Sequence, residues 1–158
     1  MGQAVIACAE KTAGAEVAAQ IDIGDSLGEA IDKCDTVIDF SHHSFTTELL
    51  AACVERGVKL VTGTTGHSDD ELEAIRKASQ SVGIVKAPNF SVGVNTLFYL
   101  TRRASEILGE NFDLEVVEMH HRDKVDSPSG TARRLVEILD KTRSLSYDDD
   151  TMHGRHGD

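Results

Sequence analysis

Apolar positions along this chain follow two alternating rhythms: short β-branched runs, and longer stretches that repeat every three to four residues. Residues 3–11 read as a helix, and 16–22 as a strand. Ser26 and Glu29 have capping-box spacing, in which the serine takes an orphan N–H and the glutamate reaches back, so a short helix is predicted there. The run Thr36-Val37-Ile38-Asp39-Phe40 predicts a buried strand. Phe45, Leu49 and Cys53 recur at intervals of four and predict an amphipathic helix stopped by Gly57. Further strands are predicted at 59–62 and 83–87, separated by a helix that a second capping box, Ser68 with Glu71, opens.

This alternation of short strands and helices predicts parallel βαβ units in an α/β, doubly wound sheet. The carboxyl ends of parallel strands share one edge, and ligands bind there. That edge carries Asp22, then Asp39, Phe40, Ser41 and His42, then Gly63, Thr64, Thr65 and Gly66, then Ala87, Pro88, Asn89 and Phe90. Beyond Ser91 the texture changes. A long helix is predicted with Val94, Leu97, Phe98, Ala104, Ile107 and Leu108 as its apolar positions, stopping near Gly109. A strand over 113–119 and a helix over 131–141, with Ala132, Leu135, Val136 and Leu139 on one face, follow. The tail from 144 has no core pattern. A boundary near residue 90 divides the chain into a dinucleotide-binding domain, 1–90, and a substrate-binding α+β domain, 91–158.

The 158 residues are 40% hydrophobic and 27% charged, enough apolar material for a packed core. A net charge of −11 repels phosphate backbones, so nucleic acid is not an expected partner. Aromatic residues are 4% and Trp is absent, which argues against base-stacking platforms and sugar clefts. Cys8, Cys34 and Cys53 are odd in number, form no C-x-x-C pair and sit in apolar stretches, so buried, inert thiols of a cytoplasmic protein are expected. No apolar run approaches the ~20 residues that span a bilayer. Met1-Gly2-Gln3-Ala4 lacks the basic and apolar regions of a signal peptide, so neither membrane nor export is expected.

Asp22 lies about 20 residues beyond Gly2, the distance at which a carboxylate takes the ribose hydroxyls of NAD, although a strand-ending Asp would look the same. The Gly63-Thr64-Thr65-Gly66 turn could bring backbone and hydroxyls against a flat ligand, or could be a plain turn before a capped helix. The densest constellation is His120, His121, Arg122 and Lys124, followed by Ser129-Gly130-Thr131 at a helix start. Cationic side chains beside free N–H groups at a helix N-terminus describe a pocket for a small, doubly anionic substrate. Zinc is the competing reading, but adjacent histidines rarely ligate one ion and no third ligand has suitable spacing, so no metal is expected.

The block Glu118-x-His120-His121-x-x-Lys124-x-Asp126-x-Pro128-Ser129-Gly130-Thr131-Ala132 resembles the signature of the bacterial 4-hydroxy-tetrahydrodipicolinate reductase (dihydrodipicolinate reductase) family. The resemblance extends to Val37-Ile38-Asp39-Phe40-Ser41, to Gly63-Thr64-Thr65-Gly66 and to the segment from Ala87 to Asn95. It implies a Rossmann-like sheet followed by part of an α+β substrate and oligomerisation domain. It also implies hydride transfer from NADH or NADPH to C4 of the cyclic imine left when 4-hydroxy-tetrahydrodipicolinate loses water. The product is tetrahydrodipicolinate, in the diaminopimelate route to L-lysine. His120 and Lys124 match the family's proton donors, and His121, Gly130 and Thr131 its substrate-binding positions. Asp22, Gly63, Thr64, Thr65, Ala87, Pro88, Asn89 and Phe90 match cofactor-binding positions. Ile23 and Gly24 follow Asp22 where a basic residue would favour NADP, so the cofactor reading leans to NADH. A homotetramer is implied for the full-length family member.

The family opens with a strand and a Gly-x-x-Gly-Arg-Met-Gly turn, of which Met1-Gly2 matches the end, and it continues with further strands beyond the loop that His153-Gly154-Arg155-His156-Gly157 resembles. The chain is therefore expected to be an internal fragment that binds NADH poorly and turns over little by itself. Two other readings remain at this point. One is a non-catalytic remnant acting as a binding or scaffolding domain. The other is an amino-acid semialdehyde dehydrogenase, which would need a nucleophilic Cys at a helix start.

Overall fold

Local chemistry accounts for most of the observed elements in the computed structural model, which describes residues 1–123 and 127–154. Two compact units result, Met1–Ala87 and Pro88–Asp158. In the first, helix α1 spans Gly2–Ala9, α2 spans Leu27–Ile31 and strand β1 spans Thr36–Asp39. A 3-10 turn over His43–Phe45 leads into α3, Thr46–Arg56. Gly57, at φ 67° in the left-handed region, closes that helix as glycine alone does cheaply. Strand β2, Lys59–Thr62, is followed by α4, Asp69–Ala78, and β3, Ile84–Lys86. At the start of α4 the Ser68–Glu71 capping box is made in both directions, Glu71 N–H to Ser68 Oγ at 3.3 Å and Ser68 N–H to Glu71 at 2.7 Å.

The strands pair in the order β1-β2-β3, all parallel, with Val37, Leu60 and Ile84 in one row and Ile38, Val61 and Val85 in the next. The first row faces the core, where Leu60 meets Leu27 and Ile31 of α2, Leu49, Leu50 and Cys53 of α3, and Ile75 and Ala78 of α4. On the other face Ile38 and Val85 stay half exposed.

Three expectations fail in this unit. Residues 16–22 form no strand; they are largely exposed and join no ladder among the described residues. Ser26 is the N-cap of α2 but its side chain makes no capping bond. Cys8 is exposed because α1 buries none of its residues, whereas Cys53 is buried and burial, ahead of its neighbours' charges, pushes its thiol up to about 11.

In the second unit, α5 spans Val92–Leu108 and α6 spans Gly130–Arg143, with a short α7, Tyr147–Asp150, in the tail. Helix α5 packs on α6, its less exposed positions include Val94, Phe98, Thr101 and Ser105, and Ser105 Oγ lies 2.6 Å from Thr142 Oγ1. Leu97, Ile107 and Leu108, three of the apolar positions read from the sequence, are exposed. Residues 113–119 are irregular rather than a strand, since no neighbouring strand among the described residues offers a ladder.

Candidate functional site

Because β1, β2 and β3 run parallel, the loops after Asp39, Thr62 and Lys86 emerge at one edge. An open depression of about 460 Å³ lies there, bounded by Phe40, Ser41, His42, His43 and residues 63–66. Its floor is organised by Asp39, whose carboxylate is buried. Ser41 donates from its backbone N–H and its hydroxyl, and Thr62 and Thr64 donate their hydroxyls. The Thr64 hydroxyl is therefore committed inward, and Thr65 is the exposed member of the pair. Gly63 has its own reason to be glycine: a Cβ there would lie 2.1 Å from Cε1 of the Phe40 ring. Gly66, at φ 81°, completes the turn in the left-handed region.

Two histidines lie beside this turn. His43 Nδ1 lies 3.0 Å from Glu71, and the Ser68 backbone N–H, then His43, hold that carboxyl below its usual range. His67 Nε2 meets Thr46 Oγ1 at 3.0 Å, while its Nδ1 is buried without a partner. Burial first, and then the charge of Lys86, lower its pKa.

The Ala87 N–H donates to Thr62 O at 3.2 Å, which keeps the end of β3 beside β2. Asn89 Oδ1 accepts the Ser91 N–H, and Asn95 donates to the carbonyls of Asn89 and Ser91. With Ser91 capping Val94, these bonds build the start of α5 and fix the loop that holds Pro88, Asn89 and Phe90. Asp22 is not among the residues lining the depression. It sits in an exposed turn, where its carboxylate accepts the Ile23 N–H and its own N–H goes to Asp25.

In the second unit Glu118 is the organising carboxylate. It accepts the Ser129 N–H at 2.9 Å and the Ser129 hydroxyl at 2.5 Å, and it lies 2.6 Å from His120 Nε2. Burial opposes the charge, but the bonds from Ser129 and His120 outweigh it and hold the pKa down to about 2. Ser129 is consumed by these contacts, because its Oγ also caps α6 by accepting the Ala132 N–H. Its own N–H is therefore not free for an anion, contrary to the sequence reading. Gly130 and Thr131, the first residues of α6, keep N–H groups that have no acceptor within the helix. Glu118 thus brings His120 to the helix terminus that carries Gly130 and Thr131. His121 is exposed, with Nδ1 3.9 Å from Asp123. Lys124 lies outside the described residues.

Asp39, Thr62 and Glu118 are the residues with organising roles that sequence reasoning did not assign. Their signal was faint: a carboxylate or a threonine at a strand end, or a carboxylate two residues before a histidine pair. Among the described residues no three His, Cys, Asp or Glu side chains group to hold a metal ion, and no helix is long and apolar enough to cross a membrane.

Comparison with known proteins gives concordant results. Residues 1–90 match the family described as Dihydrodipicolinate reductase, N-terminus, and residues 93–156 match Dihydrodipicolinate reductase, C-terminus. A 4-hydroxy-tetrahydrodipicolinate reductase of Akkermansia muciniphila is 50% identical over 157 residues, which cover 99% of this chain and 64% of that protein. The Chromobacterium violaceum enzyme of the same name is 48% identical over 128 residues, 81% of this chain and 48% of that protein. The chain therefore spans about half to two thirds of the length of these relatives. A solved structure, the dipicolinate-bound dihydrodipicolinate reductase of Paenisporosarcina sp. TG-14, superposes with a TM-score of 0.71 at 24% identity, over 99% of this chain and 66% of that one, and shares the fold. From the two family matches that together cover nearly all of its length, the chain belongs to the dihydrodipicolinate reductase family.

Proposed function

We propose that the protein carrying this sequence reduces the dehydrated form of 4-hydroxy-tetrahydrodipicolinate to tetrahydrodipicolinate, the step its relatives' name describes, in the diaminopimelate route to lysine. One observation carries the reading. A single carboxylate, Glu118, fixes His120 beside the terminus of α6, where Gly130 and Thr131 present N–H groups. That arrangement suits a small anion that must receive a proton.

We read the open depression at the strand ends as the seat of one end of a dinucleotide, since parallel sheets bind ligands at that edge and Thr65 is exposed there. Thr65 with Gly63 and Thr64, and the loop Ala87, Pro88, Asn89, Phe90, would hold the nicotinamide half, and Asp22 the ribose. A nicotinamide nucleotide, when bound there, supplies the hydride. NADH is the cofactor we favour, since Ile23 and Gly24 offer no cation for a 2′-phosphate.

The chain's own residues do the rest. Gly130 and Thr131 bind a substrate carboxylate, assisted by the positive end of α6, and His121 binds the anion from the adjoining loop. Hydride addition to a conjugated C=C–C=N system pushes electrons toward nitrogen, and a positioned acid must supply a proton. We assign that role to His120, which Glu118 holds, and to Lys124. The full-length protein is proposed to act as a cytoplasmic homotetramer.

The test follows NADH absorbance with freshly generated 4-hydroxy-tetrahydrodipicolinate and the full-length protein. His120→Gln and Lys124→Ala should each lower kcat by about 10²–10⁴, the worth of a positioned acid. Near wild-type turnover by both variants would overturn the assignment.

A further inference from the structure

We propose that Asp39 is a positioning residue for cofactor binding: its buried carboxylate ties the ends of β1 and β2 together and turns Thr64 inward, leaving Thr65 to offer its side chain to the nucleotide. The proposal rests on the reading of residues 63–65 as cofactor-binding.

Asp39 is 8% exposed, and four donors converge on it. On Oδ1 are the Ser41 N–H at 3.0 Å and the Ser41 hydroxyl at 2.5 Å. On Oδ2 are the hydroxyls of Thr62 and Thr64, each at 2.7 Å. Two of these hydroxyls have their direction fixed by a second bond. Thr62 Oγ1 accepts the Thr64 N–H at 3.2 Å, and Thr64 Oγ1 accepts the Ser41 N–H at 3.1 Å. Both hydroxyl hydrogens are thereby left for Asp39. The network is closed: it uses the backbone of both loops, and every donor in it has a defined acceptor.

A buried carboxylate with no cationic partner among the described residues is a costly way to hold two strands that already pair, and hydrophobic residues of similar size would hold them as well. What such a network does better is fix one geometry. Here the geometry concerns the turn that borders the depression. Thr64, 4% exposed, is held in the floor, and Thr65 follows it at the surface. Asparagine at 39 would match the carboxylate in volume but not in hydrogens. Its oxygen would keep the Ser41 donors, so its NH2 would face Thr62 and Thr64. Their oxygens already accept N–H groups, and their own hydrogens would lose their acceptor. The turn would have to shift to relieve this.

Calorimetric NADH affinity tests the proposal in the full-length protein, with melting temperature and dipicolinate affinity at saturating NADH measured alongside. Asp39→Asn and Thr64→Val should each raise the Kd for NADH on the order of tenfold, the size of one lost hydrogen bond to a charged group. Dipicolinate affinity should hold, and Thr64→Ser, which keeps the hydroxyl, should restore the wild-type value. If Asp39→Asn fails to fold, the Thr64 pair decides. Thr65→Val separates the two layers of the argument. If it weakens NADH binding while Asp39→Asn and Thr64→Val do not, the positioning role is wrong and the cofactor reading stands. If all three bind NADH like wild type, residues 63–65 are not the cofactor site and both fall. A lower melting temperature with unchanged NADH affinity, or equal loss of both ligands, would make Asp39 merely structural and overturn the proposal.

Discussion

Replacing Glu118 by glutamine keeps the length of the side chain and removes the charge on which Ser129 and His120 converge. The carboxylate is held at a pKa of about 2, against an ordinary value of 4.5, even though burial pushes the other way. At full value that depression corresponds to about 3 kcal/mol of preference for the charged form in the folded state. The side chain is 27% exposed, and solvent screening reduces the figure to about 1–2 kcal/mol. Its sign follows from linkage. A carboxyl whose pKa is depressed by folding adds stability that is complete above its unfolded pKa and is lost as pH falls through the folded value. Urea unfolding of wild type and Glu118→Gln should therefore differ by about 1–2 kcal/mol near neutral pH. The gap should narrow below pH 4.5 and close near pH 2. A gap as large at pH 3 as at pH 7, or one that widens on acidification, would refute the assignment of those bonds to an ionised Glu118.

Three smaller perturbations follow from the packing of the first unit. Gly63→Ala drives a methyl into the Phe40 ring and should cost about 1–3 kcal/mol in chemical denaturation, part of it recovered by adding Phe40→Leu; no cost would mean the ring does not rest there. Ser68→Ala deletes the acceptor of the Glu71 N–H and should destabilise by about 1 kcal/mol in thermal melts, and an unchanged melt would deny the cap. Burial, ahead of Lys86, lowers the His67 pKa, so the stability it contributes above its ordinary 6.5 is lost as pH falls through the folded value. His67→Gln should accordingly flatten the fall in stability on acidification below 6.5, and an equal or steeper profile would contradict this.

What could be read in advance was whatever depends on neighbours in sequence. The Ser68–Glu71 box and the Gly57 stop are local, and both form as the spacing requires. Strand 59–62 is found at its predicted limits, because its alternation is matched by two partner strands. Residues 16–22 and 113–119 also read as strands, but a strand is a pairing, and neither finds a partner among the described residues. Helix α5 was legible as a helix and not as a face: Ser105 is buried because Thr142 of α6 offers it a hydroxyl, while Ile107 is 76% exposed.

The site divides the same way. His120, Gly130 and Thr131 were legible as a motif within one stretch of chain. The ties from Asp39 to Thr62 and Thr64 span 23 and 25 residues, and no local spacing announces them. The family resemblance matches Thr64 to a cofactor-binding position, and the fold commits its hydroxyl to Asp39.

Hydride transfer to the substrate carbon can be followed directly with an isotope. The full-length protein would be incubated with freshly generated 4-hydroxy-tetrahydrodipicolinate and NADH deuterated at its transferable position, and the product examined by NMR and mass spectrometry. Tetrahydrodipicolinate carrying one deuterium at C4 should form in step with NADH oxidation, and His120→Gln should slow both together. Product without deuterium, deuterium at another carbon, or nucleotide and dicarboxylate bound without any transfer would contradict this.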